Sequence, residues 1–185
     1  MKDGLIKIKD FLENERDLID SYALIGGIAV GSWVPPRATK DIDLLFVFKS
    51  GKTATVESLK NRLEKNGWEV TVRKGDFEDN LPFSISITDE NGETIDLIPS
   101  THKWEEKIVA DAEKLLIFNE IELPVVNPEG LIVLKLKAGG PQDIVDIGTL
   151  LLKRGINKEK LNNLAKKARV DKNLAKLLGK LKLDL

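Results

Sequence analysis

The fold is decided by the stretch Arg37-Ala38-Thr39-Lys40-Asp41-Ile42-Asp43-Leu44-Leu45-Phe46-Val47-Phe48, together with the pair Gly26-Gly27 that precedes it. The end of this stretch is wholly apolar, which is typical of a strand at the centre of a sheet. Asp41 and Asp43 are two positions apart on the predicted strand, so both carboxylates project from the same face. Two like charges on one apolar strand repel each other unless a cation lies between them, and a divalent cation with oxygen ligands would suit that position.

The pattern around this stretch predicts an α+β fold with a mixed β-sheet flanked by helices. The predicted elements are helices over 3–20, 28–33, 53–66 and 103–113, strands over 22–25, 41–48 and 68–73, and hairpins over 83–98 and 115–126. After Pro128 the pattern is helical, which makes the last third of the chain all-helical. We therefore expect a core domain over 1–126 and a helical region over 127–185 packed on it as one compact unit.

The composition narrows the possible chemistry. The chain has 185 residues, no Cys and a single His, His102. Disulfides, thiolate zinc sites, iron–sulfur clusters, cysteine nucleophiles and His-rich metal sites are thereby excluded. Any metal must be held mainly by carboxylates, which favours Mg²⁺ or Mn²⁺. His102 itself fits a helix cap or a surface position better than a catalytic base.

The sequence gives no sign of a membrane or secreted protein. It has no run of about 18 apolar residues, so we expect no membrane span. The first residues lead into an amphipathic segment that contains acids, unlike a secretory signal. We therefore expect a cytoplasmic protein.

Charge is divided unevenly along the chain. Residues 157–185 hold nine basic and three acidic side chains, whereas the first 156 residues hold 20 basic and 27 acidic ones. The basic segment is either an ordinary solvated helix face or a surface that meets a polyanion. The positive charges are spread rather than blocked, which favours the first interpretation.

A third acid, Asp96, lies in the apolar stretch Thr94–Ile98, after an Asn91-Gly92 turn of the kind that joins hairpin strands. If that strand lies beside the one that carries Asp41 and Asp43, three carboxylates converge. Three carboxylates can hold two metal ions about 3.5–4 Å apart, an arrangement suited to in-line displacement at phosphorus. Taken alone, Asp96 is equally well explained as a strand-end or turn residue.

The glycine pair and Arg37 add a possible anion site. Gly26-Gly27 stands between a predicted strand and a short helix, where backbone N–H groups can approach a phosphate. A simple tight turn is the alternative. Arg37 could bind phosphate with two N–H groups, or it could form a salt bridge with a neighbouring carboxylate.

Taken together, Ile25-Gly26-Gly27 … Arg37-x-Thr39-x-Asp41-x-Asp43, with the later acid Asp96, resembles the DNA polymerase β-like nucleotidyltransferase superfamily. The Arg-x-Thr-x-Asp-x-Asp form, and a rear segment over 131–139 followed by Asp143-x-x-Asp146, resemble its AbiEii-like and minimal nucleotidyltransferase branch. The resemblance extends from about residue 22 to 152. In that branch a basic residue usually precedes the first rear aspartate, where this chain has Gly140-Pro141-Gln142.

The resemblance implies transfer of a nucleoside monophosphate from an NTP to an acceptor hydroxyl, with release of pyrophosphate. It implies the following roles: Asp41, Asp43 and Asp96 as catalytic acids and ligands of a two-metal Mg²⁺ or Mn²⁺ site, and Gly26, Gly27, Arg37, Thr39 and Lys135 as nucleotide-binding residues. Lys137 is the other candidate for phosphate contact. The two lysines are two apart on a predicted helix and should point in different directions, so we expect only Lys135 to face the cleft. A plain surface lysine is the alternative for Lys135.

The acceptor is expected to be a small molecule, a tRNA end or a protein hydroxyl. The alternative function is a non-catalytic or partner-regulated nucleotide-binding protein of a toxin–antitoxin-type system, with a small helical protein as its cognate partner. The presence of all three acids favours the enzyme.

Overall fold

The computed structural model describes residues 1–50, 55–74, 83–89, 92–153 and 155–183, which form eight helices and seven strands. The helices are α1 (Lys2–Asn14), α2 (Gly26–Trp33), α3 (Val56–Lys65), α4 (Lys103–Ala110), α5 (Pro128–Ala138), α6 (Pro141–Leu151), α7 (Lys158–Lys167) and α8 (Asp171–Leu181). The strands are β1 (Ile19–Ile25), β2 (Ile42–Phe48), β3 (Glu69–Lys74), β4 (Phe83–Thr88), β5 (Thr94–Pro99), β6 (Glu113–Ile117) and β7 (Ile121–Val125). No helix within the described ranges has both the length and the apolar character that a bilayer crossing requires.

All seven strands belong to one mixed sheet, in the order β3-β4-β5-β2-β1-β7-β6. The pairs β2–β5 and β1–β7 are parallel, and the other four neighbouring pairs are antiparallel. The predicted α+β class, with a mixed sheet and helices, is confirmed.

Strand β2 occupies the middle of this sheet, as its apolar sequence predicts. Ile42, Leu44, Leu45 and Phe46 are each at most 1% exposed. A strand buried on both faces needs apolar side chains at nearly every position, and Asp43 is the exception that lies among them. The centre of the sheet therefore carries an ionisable group that packing alone does not explain.

The first predicted helix is too long. The apolar spacing predicts a helix over 3–20, but α1 ends at Asn14 and β1 begins at Ile19. Leu18 and Ile19 are fully buried, and Ile19 pairs with Phe48 of β2. Pairing with the central strand outweighs the local periodicity, which a helix and a buried turn satisfy equally well at these positions.

Both predicted hairpins are present. Strands β4 and β5 pair antiparallel, and so do β6 and β7. Gly92 has φ +77°, in keeping with a turn glycine, whereas Asn91 lies outside the described residues. The predicted helix over 53–66 is observed as α3, which begins after the N-cap Thr55, and its first two predicted residues lie outside the described ranges.

Helix α5 joins the C-terminal helices to the sheet. Leu131, Ile132 and Val133 are at most 1% exposed and belong to the same buried cluster as the residues of β2. Asn127 caps the helix by accepting a hydrogen bond from the Gly130 N–H at 3.0 Å. The last helical third is thus observed, and the division at residue 126 into two packed regions stays a prediction.

Candidate active site

The sheet brings Asp43 and Asp96 side by side. In the parallel pair β2–β5 these two aspartates are direct register partners. Neighbouring strands are about 4.8 Å apart, so the two carboxyl groups lie within reach of one ligand. Asp41 lies one residue before β2 and is exposed. The predicted hairpin therefore does place its acid next to the Asp41–Asp43 stretch.

The Asp43–Asp96 pair combines a raised pKa with a buried oxygen that lacks a hydrogen-bond donor within the described part of the chain. Burial raises the pKa of Asp43 to about 6, and the neighbouring charges of Asp96 and Asp41 contribute to the rise, while Lys135 and Arg37 oppose it. Asp96 Oδ1 is a buried oxygen with no hydrogen-bond partner among the described residues. A buried carboxylate oxygen without a donor is costly, and a positive group bound beside it would offset that cost.

Hard divalent cations fit these donors. Mg²⁺ takes oxygen ligands and is commonly held by one or two carboxylates plus substrate phosphates and water. Within the part of the chain that the structure describes, no three His, Cys, Asp or Glu side chains form a ready-made metal-binding group. The register pair is thus observed, and the predicted site shared by Asp41, Asp43 and Asp96 stays a prediction.

Gly26 and Gly27 form the turn between β1 and α2, next to the acids. Gly26 has φ +68°, a conformation that favours glycine, and a Cβ there would collide with Asp43 Oδ2. A Cβ on Gly27 would lie 2.8 Å from Thr39 Oγ1 and 3.2 Å from Arg37 Nη2. The pair is therefore required for space as well as for the turn, and the N-terminus of α2 opens beside Asp43.

Arg37 is held by a carboxylate from the helical region. Its Nε and Nη2 lie 2.8 and 2.9 Å from the two oxygens of Asp146, in a two-pronged ion pair. Its Nη1 donates to the carbonyl of Ala38 at 3.1 Å. Asp146 is only 2% exposed. Of the two interpretations of Arg37, the salt bridge with a carboxylate is the one observed, and two guanidinium N–H groups remain outside these bonds.

Lys135 belongs to the same network. Its Nζ lies 2.9 Å from Asp143 and 2.7 Å from Asp146, and the residue is 8% exposed, so a plain surface lysine is wrong. Gln142 adds a hydrogen bond to Asp146 at 3.2 Å. Burial alone would raise the pKa of Asp146, but hydrogen bonds from Arg37, Lys135 and Gln142 outweigh it and hold that pKa well below its usual range. Asp146 is therefore ionised and balances two cations at once.

A cavity of about 430 Å³ joins these groups. The predicted site residues that line it are Gly26, Gly27, Arg37, Thr39, Asp41, Asp43 and Lys135. Lys137 also lines it, so the expectation that only one of the two lysines faces the cleft is wrong. Their side chains are long enough to reach one cavity from different sides of α5. Asp96 is not one of the lining residues, but it lies next to Asp43, its register partner on β5.

Sequence reasoning assigned no role to three acids at this site: Asp143 and Glu105, which line the cavity, and Asp146, which lies beside it on Arg37 and Lys135. The one sequence signal for Asp146 is the spacing Asp143-x-x-Asp146, which places both acids on one face of α6. In the structure that face carries the carboxylates that pair with Arg37 and Lys135. Glu105 lines the cavity and is 7% exposed. It accepts hydrogen bonds from the backbone N–H groups of Thr101 and His102, which caps α4. His102 is the N-cap residue of that helix, in agreement with its predicted role as a cap.

Comparison with a family model gives a match over almost the whole chain. The model for "Nucleotidyl transferase AbiEii toxin, Type IV TA system" matches residues 10–184. A comparison with curated protein sequences finds no significant match.

Solved structures share the fold. The lincosamide antibiotic adenylyltransferase LnuA, bound to lincomycin, is 16% identical with a TM-score of 0.51, over 81% of this chain and 96% of its own. The antibiotic-resistance factor ANT(2'')-Ia in solution is 19% identical with a TM-score of 0.53, over 95% and 94%. The same factor in complex with adenylyl-2''-tobramycin is 20% identical with a TM-score of 0.51, over 90% and 95%. At these identities the likeness concerns the fold.

Proposed function

Because the chain belongs to the family of the AbiEii nucleotidyl transferase toxins of type IV toxin–antitoxin systems, we propose that it transfers a nucleoside monophosphate from an NTP to an acceptor hydroxyl with the help of a divalent cation. Pyrophosphate is the leaving group. The observation that carries this proposal is the register pair Asp43–Asp96, with its unpartnered buried oxygen, at the edge of a cavity lined by the glycine turn.

The acids are assigned to the metal and to the acceptor. Asp43 and Asp96, together with Asp41 immediately before β2, would hold Mg²⁺ or Mn²⁺. The cation would supply charge stabilisation at the transferred phosphoryl group. Asp96 Oδ1 has no other partner among the described residues, so it can also accept a hydrogen bond from the acceptor hydroxyl.

The glycine turn and its neighbours are assigned to the phosphates. The start of α2 lies at the cavity, where its backbone N–H groups and the positive end of the helix favour negative charge. Thr39 can add a hydroxyl donor, and Arg37 and Lys135 can add the N–H groups that their carboxylate partners leave available. These donors would hold the triphosphate in the cavity beside Asp43 and its register partner Asp96.

The test is label transfer from each α-labelled NTP in Mg²⁺ or Mn²⁺, with total RNA, protein or small hydroxyl compounds as acceptors. We expect wild-type protein to transfer label to one acceptor class and to lose this activity in EDTA. Asp43→Asn and Asp96→Asn should each lower the rate by at least about 100-fold, because they weaken metal binding. Asp111→Asn is the matched control, since Asp111 pairs with Lys107 and Lys160 rather than lining the cavity.

The outcomes are distinct. Transfer that persists in EDTA, or in both strand-acid variants, would contradict the metal assignment. No transfer from any NTP to any acceptor class would contradict the activity itself.

A further inference from the structure

Among the described residues, Arg37 and Lys135 are two of the three cations that line the cavity, yet both are already neutralised by carboxylates of the chain. Asp146 contacts both of them, at 2.8 and 2.9 Å for Arg37 and 2.7 Å for Lys135. Asp143 contacts Lys135 at 2.9 Å. Two cations and two carboxylates thus form a quartet of zero net charge, which we call the Arg37–Asp146 quartet (Arg37, Lys135, Asp143 and Asp146).

Without the quartet, the cavity is strongly acidic. The charged groups that remain are the lining residues Asp41, Asp43, Glu105 and Lys137, together with Asp96, the register partner of Asp43. Four negative charges against one positive charge leave an excess of three negative charges beside the site where a triphosphate would bind. A nucleoside triphosphate carries several negative charges of its own and is repelled by such a field.

We propose that Asp146 and Asp143 are built-in counterions that cancel the charge of Arg37 and Lys135, so that the cavity accepts a nucleotide only together with a divalent cation. This inference rests on the proposed function. It adds that Asp143 and Asp146, which lie outside the β2–β5 pair, make nucleotide binding depend on the divalent cation. Arg37 and Lys135 then act as oriented hydrogen-bond donors rather than as net positive charge. The cation that Asp43 and Asp96 attract becomes the main source of positive charge for the triphosphate.

Burial of Asp146 and Lys135 makes the centre of the quartet a fixed part of the site. Asp146 is 2% exposed and Lys135 is 8% exposed, so water cannot readily separate them. Asp143 Oδ2 also accepts a hydrogen bond from the backbone N–H of Gly140 at 3.0 Å, at the N-cap of α6. An NTP that arrives without a cation can contact only the N–H groups that the carboxylates leave available. To gain the full charge of Arg37 and Lys135 it would have to displace the buried Asp146, and a buried ion pair is costly to break.

The test is the affinity for ATP, GTP, CTP and UTP, measured by isothermal titration calorimetry in EDTA and in Mg²⁺. Analogues with an α,β-imido bridge replace the NTPs in the Mg²⁺ arm, so that turnover does not contribute heat. We expect wild-type protein to bind its preferred nucleotide at least about tenfold more tightly in Mg²⁺ than in EDTA. Asp146→Asn removes one negative charge and should tighten binding in EDTA by about 5- to 15-fold, as expected for a unit charge about 10 Å from the phosphates.

A second variant keeps the test independent of folding. Asp143→Asn should act in the same direction with a smaller effect, because Lys135 keeps Asp146 as a partner and the asparagine oxygen can still accept from Gly140. Asp111→Asn, the matched control outside the cavity, should leave both affinities unchanged. Circular dichroism melting of each variant establishes that it is folded.

Each result has one meaning. A gain of affinity in EDTA for Asp146→Asn or Asp143→Asn supports the proposal. Weaker or unchanged binding in EDTA for the folded variants would overturn it and leave Asp146 as a group that only positions Arg37, with the proposed function intact. Wild-type protein that binds no nucleotide even in Mg²⁺ would overturn the proposed function and this inference together.

Discussion

Gly26 shows how one residue without a side chain shapes the site. Its positive φ turns the chain from β1 into α2, and the space where a Cβ would stand is taken by the Asp43 carboxylate. The turn and the acid therefore depend on each other. A side chain at Gly26 would displace the carboxyl group of Asp43, which is the register partner of Asp96.

We expect Gly26→Ala to abolish the proposed metal-dependent nucleotide transfer and to destabilise the fold more than Gly67→Ala does. Both glycines have positive φ, +68° and +84°, so both substitutions carry the backbone cost of about 1–2 kcal/mol. A Cβ on Gly67 meets nothing within 4 Å, whereas one on Gly26 meets Asp43. The difference in the free energy of unfolding between the two variants, measured in urea, gives the cost of the collision with Asp43. Equal destabilisation would mean that Asp43 moves aside without cost.

Asp43 makes the stability of the metal-free protein depend on pH. Its pKa is about 6 in the folded protein, against 3.8 for an aspartate exposed to water, so folding favours the neutral carboxyl. The stability that the neutral form contributes is present below about pH 4 and is lost as the pH rises through 6. Asp43→Asn stays neutral throughout, so its stability relative to wild type should rise between pH 4 and 7 by up to about 2–3 kcal/mol.

Urea unfolding in EDTA at pH 4.5 and pH 7.5 measures this difference. Asp111→Asn provides a control of opposite sign. Burial alone would raise the pKa of Asp111, but hydrogen bonding and charge from Lys107 and Lys160 lower it. Its replacement should therefore destabilise the protein at pH 7.5. A constant difference between wild type and Asp43→Asn across this range would contradict the raised pKa of the buried Asp43 carboxyl.

At the scale of elements, α5 and α6 complete a site that the sheet begins. The β2–β5 pair provides the acids, but the cations reach the cavity in the arrangement observed because Asp143 and Asp146 of α6 hold them. Asn127 sets the start of α5, with Pro128 as its first helical residue. The position of Lys135 along the helix, and so its place in the cavity, follows from that cap.

We expect Asn127→Ala to destabilise the protein by about 1–2 kcal/mol, because a buried N-cap hydrogen bond is lost. Asn157→Ala is a matched comparison, since Asn157 caps α7 in the same way through the Lys160 N–H at 2.9 Å but is exposed. Water can replace the lost bond there, so its cost should be smaller. Chemical unfolding of both variants tests this order, and a larger loss for Asn157→Ala would contradict it.

Elements with one strong local signal were predicted well, and boundaries between elements were not. The alternation of β4 and β5 and the apolar core of β2 leave little choice of structure. The α1–β1 boundary is different, because Leu18 and Ile19 fit a helix face as well as a buried turn and strand. Their state is decided by pairing with β2, a contact remote along the chain.

At the scale of the whole molecule, charge separates into an acidic cavity and a basic end. Lys172, Lys176 and Lys180 are exposed on α8 at intervals of four residues, which is about 6 Å along one helix face. The interpretation as a polyanion-binding surface and the interpretation as a solvated face both fit this arrangement. They differ in how binding should respond to salt.

If the α8 lysines meet a polyanion, replacing Lys172, Lys176 and Lys180 by Gln should lower the NaCl concentration at which the protein elutes from heparin. The same variant should weaken the salt dependence of binding to a phosphate-bearing acceptor. A control with three lysines elsewhere that already pair with acids, Lys60→Gln, Lys103→Gln and Lys114→Gln, should elute close to wild type. Equal elution of wild type and the α8 variant would leave the solvated face as the explanation.

The sequence by itself determined the acids, the glycine turn and the central strand. These features depend on residue type and short spacing, because two aspartates and a glycine pair in apolar surroundings are costly without a ligand to balance them. The tertiary structure alone decided that Asp43 and Asp96 are register partners, and that Arg37 and Lys135 are held by Asp143 and Asp146. Those facts depend on which strands become neighbours and which face of α6 turns inward, and contacts between elements far apart along the chain leave no periodic trace in the sequence.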